Sequence, residues 1–144
     1  MLIAQILKAK GSDTITTTAD CSVHDAAKLM AEHNIGAVVV LDKAGEIAGI
    51  ISERDITRAL ARDGDQIVSH DVGDLMTKDV VTTDRSASVQ NLMRRMTEHR
   101  IRHLPVVEDN QLLGVISIGD VVKSRMTELE SETSMLHDYI AGSA

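Results

Sequence analysis

Gly49-Ile50-Ile51-Ser52-Glu53-Arg54-Asp55 is the stretch on which the fold turns, and Gly114-Val115-Ile116-Ser117-Ile118-Gly119-Asp120 is its echo. Each is a short apolar run released by glycine, then a serine, then an aspartate three residues later. The run reads as a buried strand. The Ser-x-x-Asp after it reads as a helix start, with the serine as N-cap and the aspartate in the first turn. A chain that builds this junction twice is read as building one kind of site twice.

The context of the junction repeats as well. Before the first copy, residues 15–18 are rich in β-branched side chains and read as a strand. Asp20 and Ser22 are N-cap candidates for a helix whose apolar face is Val23, Ala26, Ala27 and Met30, ending near Asn34. Ala37-Val38-Val39-Val40-Leu41 is an unbroken apolar run, as in a strand covered on both faces. A hairpin turn at residues 42–46 leads into the return strand at residues 47–51. Ser52 then opens a second helix carrying Ile56, Ala59 and Leu60. Val23, Met30, Glu32, His33, Ile35 and Val40 recur as Val89, Met96, Glu98, His99, Ile101 and Val106, each 66 residues on. Gly49, Ser52 and Asp55 recur 65 residues on, the lost residue falling in the hairpin turn where a loop absorbs it. The chain is thus a tandem β-α-β-β-α repeat of the α/β (α+β) class. Neither half is long enough for a comfortable core alone, so the halves are expected to pack about a pseudo-twofold axis with a cleft between them.

Composition narrows the chemistry. Among 144 residues there is no Phe, no Trp and one Tyr, so the core is aliphatic and a flat ring must be held between aliphatic side chains. The formal net charge of −7 argues against a general nucleic-acid or anionic-membrane surface, while leaving room for a local basic pocket. A single cysteine, Cys21, excludes an internal disulfide. No apolar run approaches bilayer length, and residues 1–7 lack the basic start and small-residue cleavage site of a signal peptide, so a cytoplasmic location is expected. Residues 121–140 carry Met126, Leu129, Thr133, Leu136 and Ile140 at alternating steps of three and four. That stripe suits a helix packing back on its own domain as well as a dimer contact.

The arrangement resembles the cystathionine-β-synthase (CBS) domain pair, or Bateman module. The resemblance rests on Gly-hydrophobic-hydrophobic-Ser-x-x-Asp in both repeats, on Leu75-Met76-Thr77 leading into Val80-Val81-Thr82, and on Ile101-Arg102-His103-Leu104-Pro105-Val106-Val107. It covers nearly the whole chain and is closest in character to small stand-alone CBS pairs. One module at 1–144 is expected, with repeat 1 at 6–67, repeat 2 at 72–128 and a helical extension at 129–144. The resemblance implies a non-catalytic energy sensor, an adenosine-containing ligand (AMP, ATP or NAD(H)) in the cleft, and pairing into a disc-shaped homodimer.

Asp55 and Asp120 are the first site candidates, since a carboxylate offers two acceptors at the separation of two ribose hydroxyls. Ser52 and Ser117 mark helix N-termini that favour phosphate. A plain capping arrangement explains the same residues without a ligand, and the two readings can coexist. The resemblance places Arg102 and His103 where basic residues reach a phosphate, and guanidinium suits that role. Repeat 1 has Gly36 and Ala37 there, so the two sites are expected to be unequal. Arg54 either supplies a phosphate partner to repeat 1 or is a solvated residue of a first helical turn. Thr16 and Thr82 either reach a base or sugar edge or simply reflect strand propensity. Val38 and Leu104 offer apolar and backbone contact to the ring, and Pro105 suits a strand edge or start.

The six histidines carry no metal-binding spacing, and no metal is expected. No nucleophile elbow, phosphate-cradling Gly-Lys-Ser/Thr loop or Gly-x-Gly-x-x-Gly is present, so no catalysis and no catalytic cofactor are expected. A structural dimerisation protein blind to ligand is the alternative, and a nucleotide-hydrolysing enzyme ranks last.

Overall fold

The continuous run Ala37–Leu41 forms strand β2, nearly all of it buried, and the hairpin returns as β3 at Ile47–Ser52. These coordinates come from a computed structural model that describes residues 1–11 and 13–142. The segment at residues 11–13 and the end of the C-terminal extension therefore fall in part outside the described residues. In chain order the other elements are α1 (Ile3–Lys10), β1 (Thr16–Thr17), α2 (Val23–His33), α3 (Glu53–Asp63), α4 (Val72–Leu75), α5 (Val89–His99), β4 (His103–Glu108), β5 (Gln111–Ser117) and α6 (Ile118–Ile140), with a 3-10 turn at Asp65–Ser69.

The two halves share a helix, a hairpin and a second helix, and differ at the first strand. In the first, β1 pairs parallel to β2, which pairs antiparallel to β3. In the second, β4 and β5 form the same hairpin, and the strand expected at Thr82 shrinks to a single parallel bridge between Thr83 and Val106. Small bonds repeat too: Glu53 N–H donates to Gly36 O at 3.0 Å, and Ile118 N–H to Arg102 O at 2.9 Å. Both α2 and α5 end in a left-handed residue, Asn34 and Arg100. Pro105 sits third in β4 rather than at its start. The neighbour on one side is only the Thr83 bridge, whose N–H donates to Pro105 O, so the missing proline N–H is tolerated.

Two aliphatic cores result, and each recruits a helix from outside its own repeat. Val38, Val40, Ile51, Ala26 and Met30 pack with Val72 of α4, flanked by Leu75 and Met76. Leu92, Met96, Leu104, Val106 and Ile116 pack with Ile3 and Ile6 of α1. Helix α1, ahead of the first strand, therefore completes the second half. Backbone bonds follow the same exchange: Val23 N–H reaches His70 O, and Val89 N–H reaches Met1 O.

Helix α6 is longer than α3 and continuous through the stripe. Its first turns pack on β5 and α5, but every residue from Leu129 to Ile140 is exposed, including Leu129 at 52% and Leu136 at 59%. The stripe does not fold back on its own domain in the chain described here.

Candidate functional site

Both Ser-x-x-Asp junctions form complete capping boxes. Asp55 N–H donates to Ser52 Oγ at 3.3 Å and Ser52 N–H to Asp55 Oδ2 at 2.9 Å. The Asp120–Ser117 pair repeats these bonds at 3.2 and 2.8 Å. The boxes hold each carboxylate at the mouth of a helix, in the wall of a cleft.

There are two such clefts, of about 430 and 420 Å³. Each is assembled from both repeats. The Asp120 cleft joins Ser117 and Asp120 of the second repeat to Thr14, Ile15, Gly36 and Ala37 of the first. The Asp55 cleft joins Ser52, Arg54 and Asp55 of the first repeat to Val80, Val81 and residues 99–103 of the second. Arg102, His103 and Ala37 line both, so the clefts meet at the starts of β2 and β4. Thr14–Ile15 and Val80–Val81 occupy equivalent positions, and Ile15 and the two valines give an aromatic base apolar surface.

The structure brings together Ser52, Arg54, Asp55, Arg102 and His103 in one cleft, and Ser117, Asp120, Gly36 and Ala37 in the other. Arg102 and His103 lie between the two, lining the cleft of Asp120 as well as that of Asp55. The reason is topological, since each strand start pairs with the helix start of its own repeat, Ala37 with Ser52 and His103 with Ser117, and also borders the cleft of the other repeat. Arg54 also bridges the halves, its Nη1 donating to Arg100 O at 2.8 Å. Val38 and Leu104 are fully buried core side chains, Pro105 is buried, and Thr16 and Thr82 lie beside the clefts without lining them.

Lys10 escaped the sequence reading. Its Nζ donates to Asp120 Oδ2 at 2.8 Å and to Val115 O at 2.5 Å, from the last turn of α1. No local signal announces this pair, because the partners are 110 residues apart. In the Asp55 cleft the corresponding contact is neutral, Thr77 Oγ1 donating to Asp55 Oδ1 at 3.2 Å.

Partial burial works to raise the pKa of Asp120, but the hydrogen bonds from Lys10 and Ser117 and the Lys10 charge outweigh it and hold the carboxyl below its ordinary value. It is an anion at neutral pH. For His103, burial first and then the Arg102 charge push the imidazole below 6.5, against weaker pulls from Glu53 and Asp120. The ring is therefore neutral at pH 7 and presents an uncharged wall to both clefts. It also packs tightly: a methyl group on Gly36 would lie 3.1 Å from both His103 Cε1 and Glu53 Oε1. Among the described residues no three His, Cys, Asp or Glu side chains gather as a metal site requires, and no helix is long and apolar enough to cross a membrane.

Comparison with known proteins places this geometry. The CBS domain family matches residues 10–62 and 72–127. The chain is 40% identical over 149 residues to the CBS domain-containing protein CBSX3, mitochondrial, of Arabidopsis thaliana, covering 97% of this chain and 72% of that one. It resembles the crystal structure of the CBS-domain containing protein ATU1752 from Agrobacterium tumefaciens at a TM-score of 0.84, with 43% identity over 86% of this chain and 92% of that one. The CBS domain pair of protein MJ0100, solved in complex with 5′-methylthioadenosine and S-adenosyl-L-methionine, superposes at a TM-score of 0.79 with 27% identity, covering 89% of this chain and 98% of that one.

Proposed function

The chain belongs to the CBS-domain family, with two CBS domains in tandem, and from that premise we propose that it is a non-catalytic regulatory module binding adenosine-containing nucleotides in the clefts between its repeats. The observation that carries the reading is the pairing of a carboxylate, anchored by a capping box, with an apolar wall from the other repeat, twice over. Clefts near 400 Å³ are of the size that takes a small ligand. Asp55 and Asp120 read the ribose hydroxyls, the helix starts at Ser52 and Ser117 and the nearby arginines receive phosphate, and the base lies on Val80–Val81 or Thr14–Ile15. AMP, ATP and NAD(H) are the ligands that fit this division of labour. MJ0100, with its bound 5′-methylthioadenosine and S-adenosyl-L-methionine, lends support to the adenosine half.

Because each cleft is built from both repeats, occupancy biases how the halves sit on one another, and that is the signal a partner would read. The exposed stripe on α6 is the surface along which the chain pairs with a second copy. A cytoplasmic location accords with this role.

Thermal denaturation with AMP, ATP, NADH or S-adenosylmethionine at millimolar concentration tests the reading. At least one ligand is expected to raise the melting temperature. Calorimetry should show two binding events, one removed by Asp55→Ala and the other by Asp120→Ala. No shift with any ligand, or unchanged stoichiometry in both variants, would defeat the proposal.

A further inference from the structure

The two clefts differ sharply in charge. Arg54, Arg58, Arg100 and Arg102 line the Asp55 cleft against only Asp55 and Asp79. Among the described residues none of these four guanidiniums takes part in an ion pair, although the chain as a whole is acidic. Four unneutralised cations gathered on one cavity repel one another, and the group that relieves them is a multiply charged anion. Arg58 lies one helical turn beyond Arg54, and Arg100 caps the end of α5 in the left-handed conformation, so the cations come from two elements that face each other across the opening.

The Asp120 cleft has the opposite balance. Its carboxylates are Asp13, Glu53 and Asp120, and its cations are Lys10 and the shared Arg102. Lys10 is already spent on Asp120 and on the Val115 carbonyl. Asp120 Oδ2 takes both the Lys10 and the Ser117 bonds, which leaves Oδ1 for a ribose hydroxyl without breaking the ion pair. A phosphate entering here would meet Glu53 and Asp13 with no uncommitted cation except Arg102.

We infer that the clefts sort adenosine ligands by the charge of their 5′ substituent. The Asp55 cleft takes a nucleoside polyphosphate, and the Asp120 cleft takes a nucleoside whose 5′ substituent is uncharged or positive. This rests on the nucleotide-binding reading above and specifies what it leaves open. The bridge between the clefts, Arg102 and His103, gives the two ligands a shared wall through which each can influence the other.

Adenosine triphosphate and 5′-methylthioadenosine, which differ chiefly in the 5′ group, are the probes. Calorimetry on the full chain should show both bound at once, with triphosphate affinity falling as salt is raised and thioether affinity nearly constant. The variant Arg58→Gln/Arg100→Gln, both exposed positions outside the two cores, should weaken triphosphate binding by about tenfold or more and leave thioether binding within about twofold. Mutual displacement from a single cleft, or triphosphate affinity untouched by the double substitution, overturns the partition while leaving nucleotide binding intact. Binding of neither probe to the unaltered protein overturns the nucleotide reading itself, and the partition with it.

Discussion

Gly49 and Gly114 show how much a single position depends on what the chain brings past it. In sequence they are equivalent marks of the same strand. In the fold a methyl group at Gly49 would sit 2.6 Å from Met76 Sδ and 2.8 Å from the Thr77 carbonyl oxygen, the second of which is backbone. At Gly114 the one close atom is Leu7 Cδ2 at 2.8 Å, the end of a side chain that can rotate away. Gly49→Ala should therefore cost about 1–3 kcal/mol of stability, and Gly114→Ala clearly less. Denaturant titration of the two variants checks the order, and equal losses would contradict it. The candidate ribose carboxylates were legible at this scale because Ser-x-x-Asp is a local pattern. Lys10 was not, because its contact with Asp120 belongs to no local pattern.

At the scale of elements, the capped helices and the two hairpins followed their patterns, since capping and apolar spacing act within a few residues, while the strand expected at Thr82 came to a single bridge. Ser22, Ser52, Ser88 and Ser117 all cap helices through their side chains. The exchange of α1 and α4 could not be read in that way. Each carries apolar residues that would suit either core, and the core it joins is built from residues distant in the chain. Ile3, fully buried in the second core, makes this testable. Ile3→Ala should cost about 2–5 kcal/mol. Hydrogen exchange in the variant should speed up in α5 and β4 while α2 and β2 keep their protection. Loss of protection confined to the first half would show that α1 serves the other core.

For the whole molecule, the exposed apolar stripe of α6 is the feature that the chain by itself leaves uncovered. Pairing with a second copy along Leu129 and Leu136 predicts a dimer by light scattering. Leu129→Asp together with Leu136→Asp should give a monomer whose circular dichroism is unchanged, because neither residue enters either core. A wild-type monomer, or a variant that remains dimeric, would rule out pairing through these residues.

The sequence by itself determined that the chain is a duplicated β-α-β-β-α unit, where the helices after Ser22, Ser52 and Ser117 begin, and which two aspartates stand at the repeated junctions. These are consequences of hydrogen bonding and apolar spacing over a few residues, and they survive any arrangement of the halves. Only the tertiary structure decided that each Ser-x-x-Asp opened on the strand start of the other repeat. That arrangement set Arg102 and His103 between the clefts of Asp55 and Asp120, gathered four arginines on one cleft, and put Lys10 against Asp120 in the other. The repeated junction is thus one local structure placed in two electrostatic settings, because charge acts between residues that the fold, and not the chain, makes neighbours.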